Sequence, residues 1–483
     1  MTISTWYGDK TRHIRQRIIV EGDLVLQTPA HFGNGDGDEV TDMPLLLDPY
    51  DNKSPLLTGA SLAGALRNYV RELNSTSPEL LFGGGKGDDD GEQSPLIVAD
   101  SLGKSSGKTI RAGVRLDDKT RTAVDKALFD VQLWQAGTTF PLRFELLIGQ
   151  KDNEAALCRA LATALDGLSN GRITLGARKR RGYGEVNVAQ WRVKRYDLTD
   201  PTQLCDWLEN GNHELVEETA VADLKTALNV TDFLPDKSKF FTLHATFALQ
   251  GSLLIRAGGG QDDIGPDMVH LHAKQPNGKA QPIISGTSLA GALRARAQRI
   301  ANTLDKADKA KELVYDMFGP DMNDKDWRRA KKEKGVSASR LTVKEKVIKN
   351  GRADLVQNRV SIDRFTGGAR DTALFNEQPV FATDDTLVTV DLHLRNPEEA
   401  DIGLLLLLLK DLWTEDLPLG GESSIGRGRL QGRTATLTHK NGETQTWQLT
   451  SVAPNQLQFK QGDPARLQEF VDKLHNHLGG GQS

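Results

Sequence analysis

The stretch TGASLAGALR at Thr58–Arg67 and the stretch SGTSLAGALR at Ser285–Arg294 agree at eight of ten positions. Three more pairs follow in the same order: LFG at Leu81–Gly83 with MFG at Met317–Gly319, ALF at Ala127–Phe129 with ALF at Ala373–Phe375, and Gly182 and Gly184 with Gly426 and Gly428. The offset between partners drifts from 286 − 59 = 227 through 374 − 128 = 246 to 426 − 182 = 244. Collinear order with a drifting offset marks a duplication that has taken up loop insertions. A period this long makes each copy a complete domain rather than a solenoid unit that leans on its neighbours. The reading divides the chain into a first domain at residues 1–196, a connector at 197–238 that opens on the polar DLTDPTQ, and a second domain at 239–483.

Each copy reads as mixed α and β. Arg17–Gln27 (RIIVEGDLVLQ) and Phe240–Ile255 have the β-branched, alternating character of strands, and a glycine-rich loop follows each. From Ser61, the apolar residues Leu62, Ala65, Leu66, Tyr69, Val70 and Leu73 recur at helical spacing. Ser61 and Ser288 are suitable N-caps for this helix and its copy. Strands at Thr139–Gly149 and Thr386–Arg395 lead into helices at Glu154–Leu165 and Glu399–Trp413. The order strand, helix, strands, helix, glycine loop, strand predicts an α+β chain of two tandem ferredoxin-like (RRM-like) domains.

With 38% hydrophobic and 26% charged residues, the 483-residue chain has the balance of a globular protein with material for two cores. A formal charge of −4 excludes a uniformly basic surface, so nucleic-acid contact would have to come from local basic clusters. Cys158 and Cys205 are too few for a disulfide framework and lack CxxC spacing, which fits a reducing cytoplasm. The opening MTISTWYGDKTRH has no signal-peptide core, and the longest apolar run, Leu404–Leu409, is too short to cross a bilayer, so no membrane role is expected. Neither a P-loop, an HExxH pair nor a GxSxG elbow occurs, which leaves nucleotide hydrolysis and the common hydrolase chemistries without support.

The run PLLTGASLAGALR with its following LFG, the run NRVSIDRFTGGARDTALFNEQPV at Asn358–Val380 and the run LGGESSIGRGRL at Leu419–Leu430 resemble the RAMP superfamily. More narrowly, they are similar to the backbone subunits of type III CRISPR complexes, which polymerise along a guide RNA. The first copy carries RAGVRLDDKTRTAVDKALFDVQL at Arg111–Leu133 and LGARKRRGYGEV at Leu175–Val186 in the same places. Two such units in one chain look like the tandem backbone subunit of a type III-D variant. The resemblance covers most of the chain and leaves out the connector and the residues after Lys440. It implies a guide-RNA-binding backbone subunit whose partners are the CRISPR guide RNA, a target single-stranded RNA and other CRISPR effector subunits. It also implies a thumb β-hairpin in each copy, at Arg111–Leu133 and Asn358–Val380, which in relatives wedges into the guide–target duplex and flips out a nucleotide. Phe129 and Phe375 lie there, either as wedges against bases or as core.

A protein that holds RNA without reading its sequence needs helix N-termini, backbone amides and arginines directed at phosphates. Ser61 with Arg67, and Ser288 with Arg294, offer the first set; capping serines and solvated arginines are the plain alternative. Arg178, Lys179, Arg180 and Arg181 before Gly182, and Arg427 and Arg429 around Gly428, offer the second. Glycine permits close backbone approach and the cations neutralise phosphate, although an ordinary basic turn would look the same.

The resemblance further implies an aspartate, in the loop between the first strand and the glycine–serine helix, that cuts the target RNA. The chain would then be a metal-dependent, RNA-guided endoribonuclease. The loop HFGNGDGDEVTDMPLLLD holds Asp36, Asp38, Asp42 and Asp48, and Asp42 fits the family's Asp-x-Pro through Pro44. The loop RAGGGQDDIGPDMVH holds Asp262, Asp263 and Asp267; Asp267 is the counterpart, with Pro266 before it instead of two residues after. Both preferred aspartates precede a methionine. The reaction would be attack of a ribose 2′-hydroxyl on the adjacent phosphate, and the resemblance makes Mg²⁺, which prefers oxygen ligands, the expected cofactor. If the loop aspartates only shape turns, the chain is a non-catalytic RNA-binding scaffold. A stand-alone guide-processing ribonuclease is the third reading; His31, His244, His270 and His272 form no legible acid–base pair for it.

Overall fold

The computed structural model describes residues 13–33, 43–73, 78–84, 93–117, 122–216, 218–257, 266–305, 308–321, 324, 338–453 and 456–479. In the first domain, strand β1 (Ile14–Leu26) turns Ile18, Val20, Leu24 and Leu26 into the core. Helix α1 (Gly59–Leu73) returns across that face and buries Leu62, Leu66, Tyr69, Val70 and Leu73. At about 1.5–3 kcal/mol for each large apolar side chain taken from water, this stripe holds the helix to the sheet. There follow α2 (Pro78–Phe82), β2 (Leu96–Val98), β3 (Lys108–Leu116), β4 (Ala123–Trp134), β5 (Thr139–Gly149), α3 (Glu154–Ser169) and β6 (Val186–Asp197). The sheet order is β2-β5-β1-β6, with every neighbouring pair antiparallel. This is the ferredoxin-like βαββαβ arrangement, with β3 and β4 inserted as a separate two-stranded hairpin.

The connector carries α4 (Pro201–Asn210) and α5 (Leu224–Leu228), each started by an aspartate cap, Asp200 and Asp223. It lies against the first domain: Val221 bridges to Trp191 of β6, and Leu224 and Leu228 join the first core.

The second domain repeats the plan with β7 (Phe240–Gln250), β8 (Met268–His270), α6 (Gly286–Leu304), α7 (Ala310–Phe318), β9 (Leu341–Val343), β10 (Gln357–Ile362), β11 (Ala369–Gln378), β12 (Leu387–Arg395), α8 (Glu399–Trp413) and β13 (Arg429–Asn441). Its sheet order, β9-β12-β7-β13, matches the first, and β10 with β11 form the second hairpin. Beyond β13 the sheet continues through β14 (Glu443–Ala453) and β15 (Gln456–Gln461). Helix α9 (Pro464–Gly479) then packs on α8 with Leu467, Phe470, Leu474 and Leu478 buried.

Three details differ from the sequence reading. The repeat helices begin at Gly59 and Gly286, so their caps are Thr58 and Ser285 instead of Ser61 and Ser288. Thr58 Oγ1 accepts from Ser61 N–H at 3.3 Å and Ser285 Oγ from Ser288 N–H at 3.3 Å. The strand expected over Phe240–Ile255 ends at Gln250, because Gly251 takes φ +70 and turns the chain. Helix α3 runs four residues further than its apolar spacing suggested, to Ser169. No helix among the described residues is long and apolar enough to cross a membrane.

The two domains meet through unlike faces. The late glycine loop and hairpin of the first domain press on α6, β9 and the following loop of the second. Arg111 of β3 forms a two-pronged ion pair with Glu345, at 2.5 and 3.1 Å, with side chains only 7% and 4% exposed. Around it Arg115 pairs with Asp321 at 2.5 Å, Lys344 with Glu185 at 3.3 Å, and Lys274 donates to the Ser106 carbonyl at 2.6 Å. Gly286 is required here, since a Cβ at that position would lie 2.2 Å from the Arg181 carbonyl oxygen. Burial works against the charge on Arg111, but Glu345, by charge and hydrogen bonds, more than offsets it and holds the guanidinium above its ordinary value.

Candidate nucleic-acid interface

In each domain the late glycine loop is built on backbone only glycine adopts easily. Gly182 and Gly184 have φ of +82 and +71, Gly426 and Gly428 +90 and +76, and each pair follows a single helical turn, at Lys179–Arg181 and Ser423–Ile425. In the first domain this loop and the first turn of α1 enclose a cleft of about 410 Å³, lined by Thr58, Ser61, Gly64, Asn68, Gly176 and Lys179 among others. Ser61 is exposed there, with its Oγ accepting from Thr58 Oγ1 at 2.9 Å. The cleft sets a hydroxyl and a cation beside the positive end of the helix, whose Gly59 and Ser61 N–H groups are already held by Asp100 and Thr58, a combination that suits a phosphate.

The basic run around this loop does not act as one patch. Arg178 lies over the Phe129 ring at 4.3 Å. Lys179 faces the cleft, and burial, then Arg180, hold it below its ordinary value. Arg180 reaches across the junction to Thr342 Oγ1 at 3.0 Å, and burial, then Arg395, push it down to about 10. Arg181 donates to the Phe318 carbonyl at 3.1 Å and is pushed down to about 10 by burial, then by Arg294 and Arg178. Its Nη1 has no hydrogen-bond partner among the described residues. In sequence these cations point to phosphates; the structure turns Arg180 and Arg181 into the domain junction, toward partners more than a hundred residues away. The same desolvation leaves Lys179, Arg180 and Arg181 with positive charge that an incoming anion would offset.

The arginines of the repeated helix also have protein partners. Arg67 donates to the carbonyls of Gly84 and Gly83 at 3.2 and 3.1 Å, tying α1 to the end of α2. Arg294 stacks on Tyr315 at 5.3 Å. In the second domain Arg427 is 4% exposed and belongs to an ion-pair cluster. Its Nη2 lies 2.8 Å from Glu377, its Nη1 2.8 Å from Glu422, and Arg359 contacts both acids at 3.3 and 3.2 Å. These contacts are close but poorly aligned, so the Glu377 oxygens and Arg427 Nη1 lack directed hydrogen bonds. Burial, then the neighbouring Glu377, raise Glu422 above the usual carboxylate range. Arg427 is therefore a buried structural residue, whereas Arg429, at the start of β13, is exposed. Ser288 keeps its place in the first turn of α6.

Of the loop aspartates, Asp36, Asp38, Asp42, Asp262 and Asp263 lie outside the described residues. Asp48 is buried and shapes a turn, its Oδ1 accepting from Tyr50 N–H at 3.1 Å. Asp267 is exposed, and its Oδ2 accepts the Asn376 N–H of the second hairpin at 2.8 Å. The next residues join that hairpin in parallel, Met268 opposite Glu377 and Val269 opposite Gln378. In the first domain Met43, the residue after Asp42, makes the same parallel bridge to Val131 of β4. With Leu128 and Leu374 as partners in the two hairpins, Val131 and Glu377 are corresponding positions. Both loops are thus sewn to the base of their own hairpin at one register. Among the described residues no three of His, Cys, Asp and Glu gather to hold a metal ion. His31 and His270 are buried: His31 Nδ1 contacts the Gln132 carbonyl at 2.8 Å, and His270 uses both ring nitrogens on backbone groups.

The hairpins project apolar side chains into solvent: Ile110, Leu116 and Leu128 in the first, Ile362 and Leu374 in the second. Phe129 and Phe375 are half-buried, Phe129 packing with Val131, Leu133 and Tyr183. The exposed aromatic is Phe365, 96% accessible at the tip of the second hairpin, where Asp363 caps the turn by accepting from the Phe365 and Thr366 N–H groups. Sequence reasoning missed it, although a lone aromatic inside the polar turn DRFTGG was a usable signal. The corresponding tip of the first hairpin lies outside the described residues.

A family model described as the RAMP superfamily matches residues 23–187 and 246–431, one match in each domain. No curated protein matches the chain.

Proposed function

Because the chain belongs to the RAMP superfamily, and so is a CRISPR-associated RNA-binding subunit, we propose that it supplies two consecutive backbone units of a type III effector complex, with the tandem arrangement of the III-D variant. In this reading it works in the cytoplasm, binds the guide RNA along both domains, and cuts a guide-matched target RNA once per domain. Ser61 and Lys179 take a guide phosphate in the cleft, and Arg429 neutralises another. Ser288 offers the corresponding first turn in α6. RNA phosphates near Lys179 would offset the desolvated cations of that loop. The exposed hairpins, with Phe365 at the tip of the second, press against the guide–target duplex.

The observation that carries the catalytic part is the shared register of Met43 and Met268, which ties each aspartate-bearing loop to the base of its hairpin. A nucleotide displaced by the hairpin would meet Asp267 in the second domain and, by the same register, Asp42 in the first. Its 2′-oxygen would bond to phosphorus as the 5′-oxygen departs, an in-line geometry closed to an A-form helix. The carboxylate would take the 2′-hydroxyl proton or hold Mg²⁺, an ion commonly bound by one or two carboxylates together with substrate phosphate oxygens. When bound, the ion would supply charge neutralisation at phosphorus.

Asp42→Ala and Asp267→Ala, made separately in the reconstituted complex, test this by mapping cuts on a guide-matched RNA. One cut lost per substitution is expected. Unchanged cutting in both would overturn the catalytic reading and leave the non-catalytic scaffold.

A further inference from the structure

The junction joins unlike faces, so each domain owns a donor face, made of hairpin and glycine loop, and a receiving face, made of the repeat helix and the strand after α2 or α7. One of each is closed inside the chain and one of each stays open. Corresponding positions follow from register. Ser94 Oγ donates to the Leu81 and Leu96 carbonyls, and Ser339 Oγ to those of Met317 and Leu341. The Val98 carbonyl lies under Gly59 as the Val343 carbonyl lies under Gly286. Counting onward, Asp100 stands in the first domain where Glu345 stands in the second. On the donor side Val114 pairs with Leu128 and Val360 with Leu374, so Gln357 replaces Arg111; the glycines align Ile425 with Arg181 and Glu422 with Arg178.

The open receiving face therefore keeps its acid. Asp100 is exposed, with one oxygen on the Gly59 N–H at 2.7 Å, and Leu80, Ile97 and Leu102 nearby in the chain are 43%, 46% and 50% exposed. The counterpart of Ile97 is Thr342, which the junction covers with Arg180. At these three positions the open donor face carries no cation: Gln357 is engaged by Arg427, Ile425 is 53% exposed, and Glu422 adds an acid, while Arg429 stands exposed where the first domain has Glu185. The two open ends of one chain do not complement each other. A head-to-tail interface that repeats would build an open filament; this one stops after a single use.

We propose that the face centred on Asp100 docks a different protein chain, one that presents an arginine from a hairpin as Arg111 does, and that the chain does not continue its own line by self-association. The internal junction and its charges carry this, independently of RNA binding.

The test uses full-length, nuclease-treated protein in analytical ultracentrifugation. Wild type is expected to stay monomeric over a wide concentration range. Gln357→Arg combined with Ile425→Arg rebuilds the donor cations and is expected to give association that grows with concentration. Adding Asp100→Ala should weaken that association by about 30-fold or more. Ile425→Arg alone, which leaves the Gln357–Arg427 contact intact, serves if the double variant misfolds by circular dichroism. Self-association of wild type, a folded cation-bearing variant that stays monomeric, or association indifferent to Asp100 would each overturn the proposal.

Discussion

Removing the carboxylate of Glu345 probes the junction most directly. In Glu345→Ala the Arg111 guanidinium, 7% exposed and bonded at 2.5 and 3.1 Å, loses its only counter-charge in the pair while staying out of water. Breaking one side of a buried pair costs about 3–5 kcal/mol, whereas removing both charges together is often close to neutral. The variant can relieve the strain by opening the junction, so the cost should appear as easier separation of the domains before it appears as global unfolding. Amide hydrogen exchange in residues 178–184 and 341–345 reads this directly. A loss of that size accelerates exchange there by roughly two to three and a half orders of magnitude, while β1, in the first core, serves as an unchanged reference. Arg111→Met with Glu345→Leu should recover most of the protection. If Glu345→Ala accelerates junction exchange by less than about tenfold, or the double variant exchanges as fast as the single, the pair does not hold the domains together and the reasoning fails.

Four further outcomes follow. Burial pushes His270 down to about 4, with Nε2 donating to the Ile283 carbonyl and Nδ1 accepting from Ile255 N–H. The unfolded chain binds that proton near 6.5, so stability is lost as pH falls from 6.5 toward 4, by about 1.4 kcal/mol per unit at most, and His270→Gln should flatten the decline seen in urea titrations. Thr58→Ala should cost about 1 kcal/mol in thermal unfolding and Ser61→Ala less than about half of that; the reverse order would move the cap back to Ser61. Phe365→Ala should leave thermal stability unchanged but weaken binding of a guide–target duplex by about 1–3 kcal/mol, measured by fluorescence anisotropy, and equal affinity would remove Phe365 from the interface. Phe129→Ala, by contrast, should destabilise the first domain, because that ring packs beneath Arg178.

What could be read from the chain alone depended on distance. The repeat helices were legible since Leu62, Leu66, Tyr69 and Val70 share one stripe within three turns, and the glycine loops since Gly182 and Gly184 recur as Gly426 and Gly428. The cap shifted because a serine at the third helical position looks like an N-cap when glycine and alanine precede it. The destinations of Arg180 and Arg181 were illegible: Thr342 and Phe318 are 162 and 137 residues away, and a run of four cations reads as solvated or phosphate-seeking until its neighbours are known. The extra strands β14 and β15 were hidden by their threonine and glutamine content, which carries little apolar alternation. Likeness to the family points to Asp267; its bond to the hairpin is a tertiary fact no spacing reveals.

The connector that lies along the first domain has a consequence for supply. Partners joined by a covalent tether find each other at an effective concentration set by the tether, in the millimolar range for short flexible ones, instead of the cell's protein level. The match of Arg111 to Glu345 is therefore made once per polypeptide, in strict one-to-one ratio, however much of the chain is produced. Such an interface can tolerate sequence drift that would dissolve an assembly of separate chains.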